Sequence, residues 1–152
     1  MLALLFRKLQ ADALASVPRP VEIRLWTHQE QLRRKNDRMV TELLALLELL
    51  GRSGIRAIPY KGPMLAQSLY GAPELREFGD LDLLLSPADI PRARDLLAAR
   101  GYASLFPLTP AMQARVFASH AHYHLALRHE VMVELHWKTD AEFPVADLAD
   151  AA

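Results

Sequence analysis

The chain has 152 residues, enough for one domain with a sizeable core and too few for two ordinary domains. Its 18 lysines and arginines balance 18 aspartates and glutamates, so its charge does not indicate nonspecific binding to nucleic acid. The absence of cysteine excludes disulfide partners and thiolate metal sites, and it fits a reducing compartment.

The first residues are apolar, but the apolar stretch is short. Arg7 and Lys8 interrupt it, and no charged region precedes it. This pattern predicts neither a signal peptide nor a helix that spans a membrane. We therefore expect a soluble cytoplasmic protein with no membrane partner.

Two helices are predicted before the first strand. Apolar residues at helical spacing predict a helix from Leu2 to Val17, which ends at Pro18-Arg19-Pro20 because proline lacks a backbone donor. A second helix is predicted from Thr27 to Leu50, with Gly51 as its C-terminal stop. We assign both helices to an N-terminal extension, residues 1–50. The second helix carries four basic residues: Arg33, Arg34, Lys35 and Arg38. They could line the path by which a phosphate enters, although such a group is more often a solvent-exposed helix face.

A strand-to-helix turn with a glycine follows. Residues 55–60 predict a short strand, and residues 64–70 predict a helix that ends at Gly71. Between them, Lys61 and Gly62 precede a proline, which suits the first turn of a helix. Backbone donors at such a turn favour an anion, and glycine lets a phosphate come close. Alone, the pair is more often an ordinary turn.

The clearest chemical pattern lies in residues 78–86, which follow a loop carrying Arg76. The apolar run predicts a buried strand, and the alternation of a strand places Asp80 and Asp82 on one face. Two carboxylates this close repel each other unless a cation lies between them, and oxygen ligands suit Mg²⁺ or Mn²⁺. Taken alone, an Asp-x-Asp pair is more often two solvated acids at the entrance of a strand.

The order of elements after this strand indicates a layered fold. Ser86 is predicted as the N-cap of a helix that Gly101 closes, followed by an edge strand at residues 102–106 and a small helix at residues 109–117. Strands that alternate with helices indicate an α/β (α+β) domain rather than a bundle or a sandwich.

The last informative region, residues 121–138, alternates apolar and polar residues on both sides of residues 128–130. The pattern predicts a β-hairpin with a three-residue turn, because an odd loop keeps like faces together. Glu134 and His136 of the second arm then share a face with His122 and His124 of the first. Each histidine taken singly is more often structural than a metal ligand. Residues 141–152 are expected to be a C-terminal tail. The sequence leaves open whether this tail is truncated.

Seven motifs occur in a fixed order along the chain. They are Tyr60-Lys61-Gly62, Leu65-Ala66, Tyr70-Gly71, Arg76, Gly79-Asp80-Leu81-Asp82-Leu83-Leu84-Leu85, Gly101-Tyr102 and Val133-Glu134-Leu135-His136-Trp137. This ordered set resembles the nucleotidyltransferase superfamily that includes DNA polymerase beta and the aminoglycoside nucleotidyltransferases. The closer resemblance is to an uncharacterised bacterial branch, over about residues 55–140, and we take residues 51–140 as the core domain. Better-known members carry Gly-Ser where this chain has Lys61-Gly62, so no serine is present to hold the phosphate.

The resemblance implies a nucleotidyltransferase-like mixed β-sheet with covering helices. It implies a transferase that moves a nucleoside monophosphate from an NTP, with ATP expected, to a hydroxyl acceptor that the sequence does not name. Three acids, Asp80, Asp82 and Glu134, would be both the catalytic residues and the ligands of Mg²⁺ or Mn²⁺. The expected nucleotide-side residues are Lys61, Gly62 and Arg76, and we expect His124 or His136 to hydrogen-bond a carboxylate.

Two other functions remain open at this point. One is a catalytically inactive module that binds a nucleotide or a partner, as the antitoxin-like members of the superfamily do, and it would work with a partner domain or protein. The other is a hydrolase with zinc or iron held by His122, His124 and His136.

Overall fold

The computed structural model describes residues 2–12, 16–105, 109, 111–112, 115, 122–127 and 131–138. The elements in chain order are α1 (Leu2–Asp12), α2 (Arg19–Arg52), β1 (Ala57–Pro59), α3 (Gly62–Tyr70), β2 (Asp80–Leu85), α4 (Ile90–Ala99), β3 (Tyr102–Ser104), β4 (His122–Leu127) and β5 (Met132–His136), with 3₁₀ turns at Pro73–Leu75 and Pro87–Asp89. Within these ranges, no helix has the length and apolar character needed to cross a membrane.

The five described strands form one mixed sheet in the order β1-β2-β5-β4-β3. Strands β2 and β5 run parallel, while the other neighbouring pairs are antiparallel. The predicted fold class, a mixed sheet with covering helices, is confirmed. Ala126 pairs with Met132, which matches the parity predicted for the hairpin. The turn itself, residues 128–130, lies outside the described residues.

The core lies between one face of the sheet and two helices. Alternate residues of β2 and β5 reach this face, and each of them is at most 1% exposed: Leu81, Leu83, Leu85, Val133 and Leu135. They pack against one stripe of α2 and one of α4, namely Met39, Leu43, Leu46, Leu50, Ile90, Ala93 and Leu97. The opposite face of the same two strands is therefore the one that carries their polar residues.

Helix α2 is longer at both ends than the sequence predicted. The helix begins at Arg19 rather than Thr27 because Pro20 stands in its first turn, where a missing donor costs nothing. The proline pair that follows α1 therefore also opens α2. The predicted stop at Gly51 is wrong too: the helix ends at Arg52, and the left-handed backbone occurs at Gly54, whose φ is 70°.

Three further expectations can be compared with the described residues. Helix α1 is described to Asp12, short of the predicted end at Val17. Ser86 makes no side-chain capping hydrogen bond, because a 3₁₀ turn stands between it and α4. The small helix predicted at residues 109–117 falls largely outside the described residues.

One buried polar residue interrupts the apolar stripe of α2. Asn36 is only 1% exposed, and its Nδ2 donates hydrogen bonds to the backbone carbonyls of Pro73 at 2.8 Å and Arg76 at 2.9 Å. Two helical turns earlier, Gln29 donates to the carbonyl of Glu74 at 3.4 Å. Helix α2 thus holds the loop that leads the chain into β2.

A replacement of Asn36 by leucine tests this connection. We expect Asn36→Leu to lower the free energy of unfolding by about 2 kcal/mol, because two buried carbonyls lose their donor. Urea denaturation measures the change. Gln31→Ala, at an exposed position of the same helix, should stay within about 0.5 kcal/mol of the parent. A loss no larger than that of the control would show that the side chain does not hold the loop.

A second polar cluster joins α2 to the end of α4 and the start of β3. Arg100 donates from Nε and Nη2 to the two carboxylate oxygens of Glu42, at 2.9 and 3.1 Å, and the Tyr102 hydroxyl donates to Oε1 at 3.0 Å. The hydrogen bond from Arg100 keeps the pKa of Glu42 below its ordinary value, against the opposing effect of burial. Burial and the Glu42 charge raise the pKa of Tyr102.

This cluster predicts a pH dependence of stability. Because the pKa of Glu42 is lower in the folded state, its carboxylate stabilises the fold above the unfolded pKa and loses this effect as the pH falls through the folded pKa. Glu42→Gln should therefore cost about 1–2 kcal/mol near pH 7, and the difference from the parent should shrink between about pH 6 and pH 3. Urea unfolding at each pH measures it, with Glu48→Gln, exposed on the same helix, as the control. A difference that stays constant across the range would contradict the assignment.

Candidate functional site

Two acids that are far apart in the sequence face each other in the sheet. The parallel register of β2 and β5 pairs Asp82 with Glu134 and Leu84 with His136. Alternation along each strand places Asp80 on the same face as Asp82, and His136 on the same face as Glu134. The three acids picked out from the sequence therefore lie on one face of the sheet, opposite the face that packs in the core.

His136 stands between the two facing carboxylates. Its Nε2 lies 3.1 Å from Asp82 Oδ1 and 3.1 Å from Glu134 Oε2, and its Nδ1 lies 3.0 Å from the Tyr60 hydroxyl. Ionised carboxylates only accept hydrogen bonds, so Nε2 is the donor in these two contacts. The ring is 4% exposed. Residues from β2, from β5 and from the turn after β1 thus meet at one imidazole.

The acids of the Asp-x-Asp pair have different electrostatic environments. Burial, followed by the charges of Asp82 and Glu134, raises the pKa of Asp80. Burial acts in the same direction on Asp82, but the hydrogen bond from His136 and the charge of Lys61 outweigh it, so the pKa of Asp82 is lowered. Lys61 Nζ lies 3.6 Å from Asp82 Oδ1. Repulsion thus falls mainly on Asp80, and a cation beside it would relieve that repulsion.

The turn between β1 and α3 packs directly against the start of β2. Gly62 has a φ of 52°, and a Cβ at this position would lie 3.2 Å from the carbonyl oxygen of Asp80. Glycine is therefore needed for its backbone conformation and for the close approach. Lys61, the residue before it, lies over the Tyr60 ring at 5.0 Å from the centroid while its Nζ approaches Asp82.

Two other predicted site residues are less completely defined. Arg76 precedes β2 by four residues, and its buried Nη1 has no hydrogen-bond partner within the part of the chain that the structure describes. His124 pairs with Glu134 in the register of β4 and β5, but its side chain lies outside the described structure.

Strand β4 adds a histidine to the same face. His122 pairs with His136 across β4 and β5, and their ring centroids are 5.0 Å apart. The ligand atoms of His122, Glu134 and His136 all lie within 4.8 Å of one another. This trio could hold a metal ion through nitrogen as well as oxygen.

Sequence reasoning missed two residues that support the site. The Tyr60 hydroxyl orients His136, although Tyr60 had been noted only as a motif residue. Asn36 holds the loop ahead of β2, and one signal could have revealed it. The spacing 36, 39, 43, 46, 50 places this polar residue on an apolar helix stripe, where a buried polar group needs a hydrogen-bond partner.

The comparisons with known proteins give one match. A family model described as an uncharacterised nucleotidyltransferase matches residues 1–151. The match includes α1 and α2, which the sequence motifs quoted above do not cover. Neither the curated proteins nor the solved structures gave a match. The division into residues 1–50, 51–140 and 141–152 stays a prediction.

The turn at Gly62 gives a test of how closely it packs against β2. We expect Gly62→Ala to lower the free energy of unfolding by about 1–2 kcal/mol, because alanine is strained at a positive φ and its Cβ meets the Asp80 carbonyl. Gly51→Ala is the control, since that glycine is helical with nothing within 4 Å, and it should stabilise by about 0.5–1 kcal/mol. Chemical denaturation measures both variants. The same sign of change in both would argue against the packing described here.

Proposed function

The chain belongs to this family of uncharacterised nucleotidyltransferases, and we propose that it transfers a nucleoside monophosphate from an NTP to a hydroxyl acceptor. The observation that carries the proposal is the pairing of Asp82 with Glu134 on neighbouring parallel strands, with Asp80 on the same face. Nucleotidyl transfer with two metal ions needs such a group of carboxylates. ATP is the nucleotide we expect, and the acceptor is not defined by this site.

The donor set fits Mg²⁺ or Mn²⁺. Carboxylate oxygens are the ligands that these ions prefer, and the pKa of Asp80 is raised by burial and then by the charges of Asp82 and Glu134, whose repulsion a cation would reduce. We assign Asp80, Asp82 and Glu134 as the residues that would hold the ions. Bound there, divalent ions would neutralise the phosphate charge and polarise the phosphorus for an in-line displacement.

The residues of the chain itself have distinct roles in this proposal. Glu134 would ligate one of the ions or accept the proton of the acceptor hydroxyl, whose oxygen forms a bond to the α-phosphorus while the bond to pyrophosphate breaks. His136 holds the carboxylates of Asp82 and Glu134 in position, since it contacts both. Glu134 and His136 thus act on the side of the attacking hydroxyl, and the pyrophosphate needs other residues.

The leaving pyrophosphate needs positive charge and space. Lys61 lies beside Asp82, and Arg76 has a buried Nη1 donor with no partner in the described ranges, so we assign both to this group. Gly62 would let the phosphates approach the turn, because it has no side chain to block them.

A second candidate is a module that binds a nucleotide or a partner without catalysis. Two observations favour it: Lys61-Gly62 stands where better-known nucleotidyltransferases have Gly-Ser, and Lys61 Nζ lies 3.6 Å from an oxygen of Asp82 that a metal ion would need. Such a module would act through a partner domain or protein.

Replacement of Glu134 separates the two candidates. If the chain is a transferase, Glu134→Gln should leave Mg²⁺–ATP binding within a few fold and lower transfer by about 100-fold or more, because a proton acceptor or metal ligand acts mainly in the transition state. The assay offers α-labelled ATP, or the other three nucleotides, to pools of protein, RNA and aminoglycosides, with pyrophosphate release as the common measurement.

The matched control is Glu77→Gln, an exposed acid in the loop before β2 that should keep the activity of the parent. If the parent binds Mg²⁺–ATP but releases no pyrophosphate with any pool, the transferase is excluded and the binding module is favoured.

A further inference from the structure

The His122, Glu134 and His136 trio is a group that nucleotidyl transfer by three carboxylates does not require. We propose that these three residues form a site for a divalent transition-metal ion of the Zn²⁺ and Co²⁺ class, which shares Glu134 with the carboxylate site on the same sheet face. Their ligand atoms lie within 4.8 Å of one another, on two adjacent strands.

The chemistry of the ligands favours a transition metal over Mg²⁺. Two imidazole nitrogens and one carboxylate oxygen are donors that suit Zn²⁺ and its neighbours in the first row, whereas Mg²⁺ prefers oxygen alone. Three protein ligands with one open position is also the arrangement of catalytic zinc sites. Asp80 and Asp82 offer only oxygen, so the two halves of this surface should select different ions.

The geometry needs only small side-chain movements. Bonds of about 2.1 Å in a tetrahedral site place ligand atoms about 3.4 Å apart, so rotations that move the atoms by about an ångström would close the trio around an ion. The backbone is already suitable, because Glu134 and His136 are alternate residues of β5 and His122 is paired with His136 in β4.

Tyr60 prepares His136 for this role. Histidines that bind metals commonly donate their second ring N–H to an oxygen, which fixes the ring and leaves the other nitrogen for the ion. His136 Nδ1 lies 3.0 Å from the Tyr60 hydroxyl, and Nε2 is on the side of Glu134 Oε2, at 3.1 Å. Binding of an ion at Nε2 would require the proton that Nε2 shares with the carboxylates to move to Nδ1, which would then donate to the Tyr60 hydroxyl and leave the lone pair of Nε2 for the ion.

The inference does not rest on nucleotidyl transfer, although Glu134 belongs to both sites. A chain that transfers nothing would still bind the transition metal, and a transferase that uses only the three carboxylates would not. Failure of the transition-metal site would therefore leave the proposed nucleotidyl transfer intact, and failure of the transfer would leave the metal site intact.

The test is a titration of the complete chain with Co²⁺ alone, followed through the visible absorption that Co²⁺ acquires with imidazole ligands. We expect a spectrum that Zn²⁺ abolishes and millimolar Mg²⁺ leaves unchanged. His122→Ala should weaken Co²⁺ binding by about tenfold or more, and Tyr60→Phe, which keeps the ring but removes the hydroxyl, by about tenfold. Mg²⁺–ATP binding by His122→Ala should match the parent.

The matched control is His28→Ala on α2, which removes a histidine outside the trio and should keep Co²⁺ affinity within about twofold of the parent. Thermal unfolding of each variant checks that it is folded. An unchanged Co²⁺ affinity in folded His122→Ala, or an equal loss in His28→Ala, would overturn the site. In a crystal soaked with Zn²⁺, anomalous density among the three side chains would support it, and density only at Asp80 and Asp82 would overturn it.

Discussion

The parallel pairing of β2 with β5 is the constraint on which the site depends. Asp82 and Glu134 belong to segments separated by much of the chain, and only this register makes them direct neighbours. Because strand side chains alternate, a shift of one residue would turn Glu134 into the core and bring Val133 or Leu135 beside Asp82. The same register buries the leucines of the other face, so packing of the apolar side enforces the placement of the acids.

The buried groups on the polar face of the sheet each require hydrogen-bond or charged partners. Asp82 is 5% exposed and His136 is 4% exposed, and a buried ionised group is tolerated only with partners. Nε2 of His136 is the partner of both facing carboxylates, and the Tyr60 hydroxyl contacts the other ring nitrogen, Nδ1. Lys61 adds a positive charge beside Asp82. His136 belongs to β5, whereas Tyr60 and Lys61 both belong to the turn between β1 and α3. The site is consequently assembled by the sheet and the β1–α3 turn together, rather than by any single motif.

The sequence predicted local features better than those set by distant contacts. The parity of Asp80 and Asp82 and the face shared by Glu134 and His136 follow from alternation, which needs no knowledge of the fold. The start of α2 was misjudged because Pro18 and Pro20 end one helix and open the next. The contacts of Asn36 and the Tyr60 hydroxyl could not be derived, since their partners lie 37 and 76 residues away. The pairing of β2 with β5 could not be derived either, because no local pattern specifies which strands become neighbours.

Helix α2 gives the molecule a mechanical connection between its N-terminal region and the polar face. Its buried residues begin at Leu32, so residues 19–31 form an arm of about 20 Å, along which Trp26 packs edge-on against Phe6 of α1. Gln29, inside this arm, and Asn36, beyond its end, both donate hydrogen bonds to the loop before Asp80. Because a helix is stiff along its axis, these side chains couple the position of the arm to the position of the loop at the entrance of the acidic strand.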